Sequence, residues 1–209
     1  MKVCKHVVAV MFIASFGLAG CGDDGTPPTM DAGGGLDANP PDSAMDAPTA
    51  CPTPSSGPSM HSGAIAADET WSADASPHIV MGSVRIEGGA TLTIEPCAVV
   101  RLASDGRLSA GSSSASGHLV AEGTASAPIL FERADATAWD YLMAEPMGSV
   151  RLAYVTLSGG GGDAVTYDGA SLVASGPADR PYVQNLFVDH VTVSGSAGYG
   201  VLMRRYSAF

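Results

Sequence analysis

Beyond Lys5 the chain contains no lysine, and its eight arginines stand against 21 acidic residues. A formal charge of −11 excludes the basic footprint of a nucleic-acid binder. Charged residues amount to only 15% beside 26 glycines, which excludes the Glu-, Lys- and Leu-rich composition of a coiled coil or helical bundle. Neither CxxC nor HxxxH occurs, so the common zinc and dithiol spacings are missing. GxSxG is absent as well, and with it the serine-hydrolase elbow. The one extended apolar run, Val7 to Leu18, is 12 residues long. A membrane-crossing helix needs roughly 20.

That run is the centre of an export signal. Residues 1–20 open on Lys2, Lys5 and His6, pass through the apolar run and end in small residues, the three-part layout of a secretory leader. The last four positions, Leu18-Ala19-Gly20-Cys21, resemble the lipobox of bacterial lipoproteins. The resemblance implies cleavage before Cys21, which becomes the new N-terminus and carries acyl chains such as palmitate; the alternative is an ordinary signal followed by a coincidental cysteine. Several chains on one residue, at about 0.8 kcal/mol per buried CH₂, hold a protein at a bilayer where a single chain does not. The expected location is the cell envelope, with the outer membrane or cell surface favoured, and the membrane is a partner through Cys21.

Residues 21–60 read as a tether. From Gly22 to Met60 the chain has six Asp, one Leu, no aromatic residue and no Lys or Arg, so it cannot bury enough apolar surface to offset ordering entropy. The aspartates fall at irregular intervals and lack the ligand spacing of a calcium loop. Once Cys4 leaves with the signal and Cys21 is acylated, Cys51 and Cys97 remain. In an oxidising exported compartment such a pair is expected to form a disulfide that pins the end of the tether to the domain.

The folding domain starts near residue 61. Residues 61–78, with Trp71, are expected to cap it, and 79–209 carry short period-two runs such as Thr91-Leu92-Thr93-Ile94 and Pro128-Ile129-Leu130-Phe131, separated by Gly, Ser, Asp and Ala. The domain is therefore expected to be all-β. A β-sandwich is one arrangement of such strands, and internal repetition favours a solenoid over it. At an offset of 36, Ala153–Tyr167 and Asp189–Met203 share six identities: Val155/Val191, Thr156/Thr192, Ser158/Ser194, Gly159/Gly195, Gly162/Gly198 and Val165/Val201. So long a step implies an inserted loop, expected around Ser175 to Pro181.

Three further stretches, Gly89 to Val100 (GATLTIEPCAVV), Gly117 to Thr124 (GHLVAEGT) and Pro128 to Phe131 (PILF), resemble rungs of right-handed parallel β-helix proteins of the pectate-lyase-like superfamily, in particular its bacterial surface lipoproteins. Cys97 stands where that pattern usually has Gly, which agrees with the disulfide. The resemblance implies a right-handed parallel β-helix over about residues 79–203 and says little about activity. The rung pattern is still running between Gly200 and Phe209, so the expectation is a chain truncated inside the solenoid or one that pairs its last rung with another molecule.

Pectin-cleaving members of that superfamily use a Ca²⁺-holding carboxylate cluster with an Arg or Lys base, or grouped aspartates. Neither pattern can be placed here: no two Asp are adjacent beyond Asp23-Asp24, and Gly-His-Gly is missing. A carboxylate pair formed across rungs would draw on Asp163, Asp168, Asp189, His190 and Arg204. Gly159 to Ala164 matches GxGxxA but leads into Val165-Thr166-Tyr167 and not into a helix, so it reads as a glycine turn. His61, His78, His118 and His190 share no ligand spacing and are expected at the surface or at rung edges. Trp71, Trp139, Tyr141 and Tyr154 are expected to fill cap and core more than to form a sugar-stacking platform. No catalytic, cofactor or metal residue is assigned. The expected function is a lipid-anchored, non-catalytic module for polysaccharide or envelope partners; the rivals are a polysaccharide-cleaving enzyme and a non-functional fragment. Replacing Cys21→Ser is expected to abolish acylation and release the protein from the membrane fraction, and unchanged fractionation contradicts the anchor.

Overall fold

The computed structural model describes residues 51–179 and 181–209. The signal, Cys21 and the tether up to Ala50 lie outside the described residues. The alternating runs of β-branched and aliphatic residues form strands, and no described residue is helical. The first five are β1 (Ser59–Ile65), β2 (Glu69–Trp71), β3 (His78–Ile86), β4 (Thr91–Ile94) and β5 (Val99–Leu102). Next come β6 (Arg107–Ala110), β7 (Gly117–Glu122), β8 (Ile129–Arg133), β9 (Tyr141–Ala144) and β10 (Gly148–Ser158). The last are β11 (Leu172–Ser175), β12 (Val183–Gln184), β13 (Leu186–Ser194), β14 (Val201–Arg204) and β15 (Ser207–Ala208). The segment expected as a cap, 61–78, thus supplies most of β1, all of β2 and the first residue of β3.

Among the described residues every pairing between these strands is parallel. A β-sandwich is built on antiparallel pairs, so that arrangement is excluded. Thirteen strands join in one sheet, and β12 pairs with β15 separately. The large sheet resolves into three ladders that the chain visits in a fixed order. The first ladder runs through the start of β1, the start of β3, β5, β8, and the ends of β10 and β13. The second takes the end of β1, the end of β3, β6, β9, β11 and β14. The third takes β2, β4, β7, and the starts of β10 and β13.

Inward positions recur from layer to layer. Leu92, Leu119, Val150 and Leu186 are successive partners on the third ladder, and all are buried. On the second, Val84, Leu108, Leu142 and Leu172 form the matching column. Each such side chain contributes roughly 2 kcal/mol by leaving water, and only the neighbouring layer removes it from water.

The offset-36 repeat is a strand register. Val155, Thr156 and Ser158 pair with Val191, Thr192 and Ser194. The last two identities are coincidental, because Gly198 N–H donates to Gly169 O and Val201 pairs with Leu172. The long step has two sources. One is residues 176–185 between β11 and β13, which overlap the insertion expected around Ser175 to Pro181; the other is 159–171 between β10 and β11, where only 195–200 join β13 to β14.

Cys97 is bonded to Cys51, with Cα atoms 5.4 Å apart. Its φ of 70° lies in the left-handed region that favours glycine, where a side chain costs about 1–2 kcal/mol. A cross-link over a separation of 46 residues returns about 4 kcal/mol in the chain-entropy account.

Glycine is required for another reason where the third ladder begins. Gly117 and Gly148 are partners, and a Cβ on Gly148 would run into the backbone of Ala110 and Gly111 in the layer below. At Gly200 an added Cβ meets only Val193 at ordinary contact distance. Gly148→Ala is therefore expected to lower stability by about 1–3 kcal/mol, and Gly200→Ala to change it by less than about 0.5 kcal/mol. Urea unfolding checks the contrast, and equal midpoints for the two variants contradict the close approach of the layers.

Candidate binding face

Outward residues of a ladder normally meet solvent. Over three layers of the second ladder they do not: Ser109, Met143 and Val173 point away from the main core, yet all three are buried. Met143 and Val173 are covered by the 159–171 insertion, whose Ala170 and Tyr167 pack with them and with Tyr141 and Leu202 in a second apolar cluster. The glycines Gly159 to Gly162 let this loop pass close to Trp139, Ala138 and Gly169. The segment matching GxGxxA is thus a turn that lays an aromatic residue over the sheet.

Register brings the polar groups of this face together. Arg107 and Tyr141 are partners in adjacent layers, and Asp140, one residue before Tyr141, accepts from the Arg107 guanidinium at 3.2 Å. Tyr141 meets Tyr167 edge to face with ring centroids 4.6 Å apart. The Arg204 guanidinium, at the end of β14, lies 5.0 Å over the Tyr167 ring.

Burial governs the acid-base properties of this face. The Tyr141 hydroxyl is pushed up to about 12, first by desolvation and then by the neighbouring Tyr167. Tyr167 is raised by the same cause, with Glu145 adding to it. Half-buried Glu145 holds its proton more tightly than an ordinary carboxyl because of desolvation, against the pull of Arg85, Arg205 and Arg204. Asp140 is likewise raised by desolvation, with Arg107 opposing and Asp163 and Asp105 adding to the rise.

The cross-rung pool expected from sequence is divided by the fold. Asp163 and Arg204 reach this face, Asp163 beside Asp140 and Arg204 over Tyr167. Asp163 Oδ1 also accepts the N–H groups of Val165 and Thr166, which fixes the loop. Asp168, with φ of 52°, turns the same loop. Asp189 and His190 sit on another corner, hydrogen-bonded to each other at 2.8 Å and exposed, with the His190 ring stacked on Tyr154. No catalytic constellation forms from the five.

The expectation that all four histidines lie at the surface or at rung edges is corrected at His78, which is buried and points inward as the partner of Val100. His118 Nδ1 is 2.8 Å from Ser149 Oγ. Among the described residues no carboxylate is bonded to that imidazole, so the pair lacks the orienting acid of a nucleophilic triad. Trp71 and Trp139 are both buried; Trp139 donates its Nε1–H to Ser158 O. Among the described residues no three His, Cys, Asp or Glu side chains come together in a way that would hold a metal ion.

Sequence reasoning missed Tyr167, Glu145 and the Arg107–Asp140 pair. Residues 107 and 140 meet only because the step between their layers is 34 residues, and no local pattern announces that number. No protein-family pattern, no curated protein and no solved structure matches the chain.

Proposed function

We propose that this protein is a right-handed parallel β-helix held at the cell envelope through a lipid on Cys21, and that it serves as a non-catalytic module binding an envelope polysaccharide through the outer face of its second ladder. The observation that carries the binding site is the Tyr141–Tyr167–Arg204 surface, built over buried outward residues by a dedicated insertion. Aromatic rings offer flat apolar faces to sugar rings, and the Arg107–Asp140 pair beside them supplies donors and acceptors for hydroxyl groups. Three parallel ladders visited in fixed order support the β-helix, and the Cys51–Cys97 disulfide supports an oxidising, exported compartment.

Asp140 and Glu145, both with raised proton affinity, favour one rival: an enzyme that uses them as acids on a bound chain. The non-catalytic reading expects retardation in affinity gels containing an envelope polysaccharide, with the chain length of that polysaccharide unchanged after prolonged incubation. Tyr167→Ala and Arg204→Ala are each expected to weaken binding tenfold or more at unchanged circular dichroism. Depolymerisation overturns the non-catalytic reading, and full binding by both variants overturns the site.

A further inference from the structure

At the opposite end of the stack from β14, the geometry points to a proton-operated latch: His61 and His78 hold β1 on the sheet while they share one hydrogen bond, and release it when both rings are charged. The two rings occupy inward positions where the layers above carry aliphatic side chains, His61 as the partner of Val80 and His78 as the partner of Val100. His61 lies on the Trp71 ring at 4.0 Å between centroids, and Trp71 is nearly parallel to His78 at 5.2 Å.

Hydrogen bonding fixes the tautomers. His78 Nε2 is 2.8 Å from Ser72 O. A carbonyl only accepts, so Nε2 carries the proton and the Nδ1 of a neutral His78 is an acceptor. His61 Nε2, 3.0 Å from that Nδ1, must then donate to it. The remaining nitrogen, His61 Nδ1, is bare and lies 3.6 Å from Glu69 Oε1, which already accepts from the Trp71 indole N–H at 2.7 Å.

Two protons therefore have different consequences. The first goes to His61 Nδ1, gives an ion pair with Glu69 and leaves every hydrogen bond in place. The second has only His78 Nδ1 to go to, where it removes the acceptor and sets two N–H donors and two positive charges face to face. The charged groups facing the pair are Glu69 on β2 and Glu95 just after β4, and Glu95 Oε2 is occupied by the N–H of Ala73. Both carboxylates attract a charged His78 from a distance, but neither accepts a hydrogen bond from it, so neither replaces the acceptor lost at the second step.

Burial lowers both rings below the ordinary histidine value of 6.5, and for His61 the neighbouring His78 adds to the effect while Glu69 opposes it. The open state thus binds more protons than the closed one as pH falls. The pair's contribution to closure is complete above about pH 6.5 and is lost progressively below it. Opening is local, because β1 pairs only with β3 among the described residues, and the Cys51–Cys97 bond keeps the released segment attached.

Hydrogen exchange followed by mass spectrometry on the intact, disulfide-bonded chain tests the latch, with rates corrected for intrinsic amide chemistry. Protection of residues 59–65, relative to 98–102, is expected to fall at least tenfold between pH 7.5 and pH 4.5. In His61→Gln the fall is expected to vanish, since the glutamine amide donates to neutral His78 and, turned over, presents its oxygen to the charged ring. A constant ratio in the wild type overturns the latch, as does an equal fall in His61→Gln. Should that variant not fold, ring-nitrogen NMR of the wild type decides. Two separate protonation steps, with β1 lost at the second, support the proposal. Full protonation of both rings with β1 still protected refutes it.

Discussion

A layer of this molecule cannot bury its own apolar side chains. Each turn of the chain places two or three inward residues on each ladder, and the only surface able to cover them is the equivalent set one layer away. The column Leu92, Leu119, Val150 and Leu186 exists because parallel strands about 4.8 Å apart bring like residues into contact. In-register stacking is thus the constraint on which the rest depends: it fixes the glycines where layers approach closely, the left-handed turns at corners, and which outward side chains become neighbours.

The same constraint leaves the corners free. Length added between strands does not disturb a column as long as the next strand returns to register, and the step between layers accordingly grows from 19 residues at Ser59–His78 to 36 at Val155–Val191. The 159–171 insertion uses this freedom to cover one outer face and to bring Tyr167 beside Tyr141. The ends of the stack differ in chemistry. At the start, histidines and an indole stand in inward positions and satisfy one another through hydrogen bonds. At β13 and β14 the inward residues Val188 and Val201 remain 43% and 46% exposed, and an apolar groove of about 360 Å³ opens between Leu172, Leu186, Met203 and Phe209.

Strand content and the pairing of β10 with β13 were legible in the sequence, because Val155, Thr156 and Ser158 recur at one offset as Val191, Thr192 and Ser194, their partners in the sheet. The disulfide was legible from compartment and from cysteine arithmetic, whereas the left-handed conformation that Cys97 adopts to make it was not. The binding face was not legible. Its members come from five separate layers or loops, and the variable step conceals which residues stack. The buried histidine was missed for a different reason: an imidazole in an inward column is acceptable only where Trp71, Ser72 and a second histidine meet it, a set of contacts without local sequence signature. The coincidental matches at Gly162/Gly198 and Val165/Val201 show the limit of offset arithmetic once an insertion has intervened.

The central claim is the in-register parallel stack, and methyl–methyl NOEs in a selectively labelled sample test it most directly. The account predicts contacts of Leu119 with Leu92 on one side and with Val150 on the other, and of Val150 with Leu186, at sequence separations of 27, 31 and 36 residues. Absence of the Leu119–Val150 contact, or a pattern in which these side chains meet antiparallel neighbours, contradicts it.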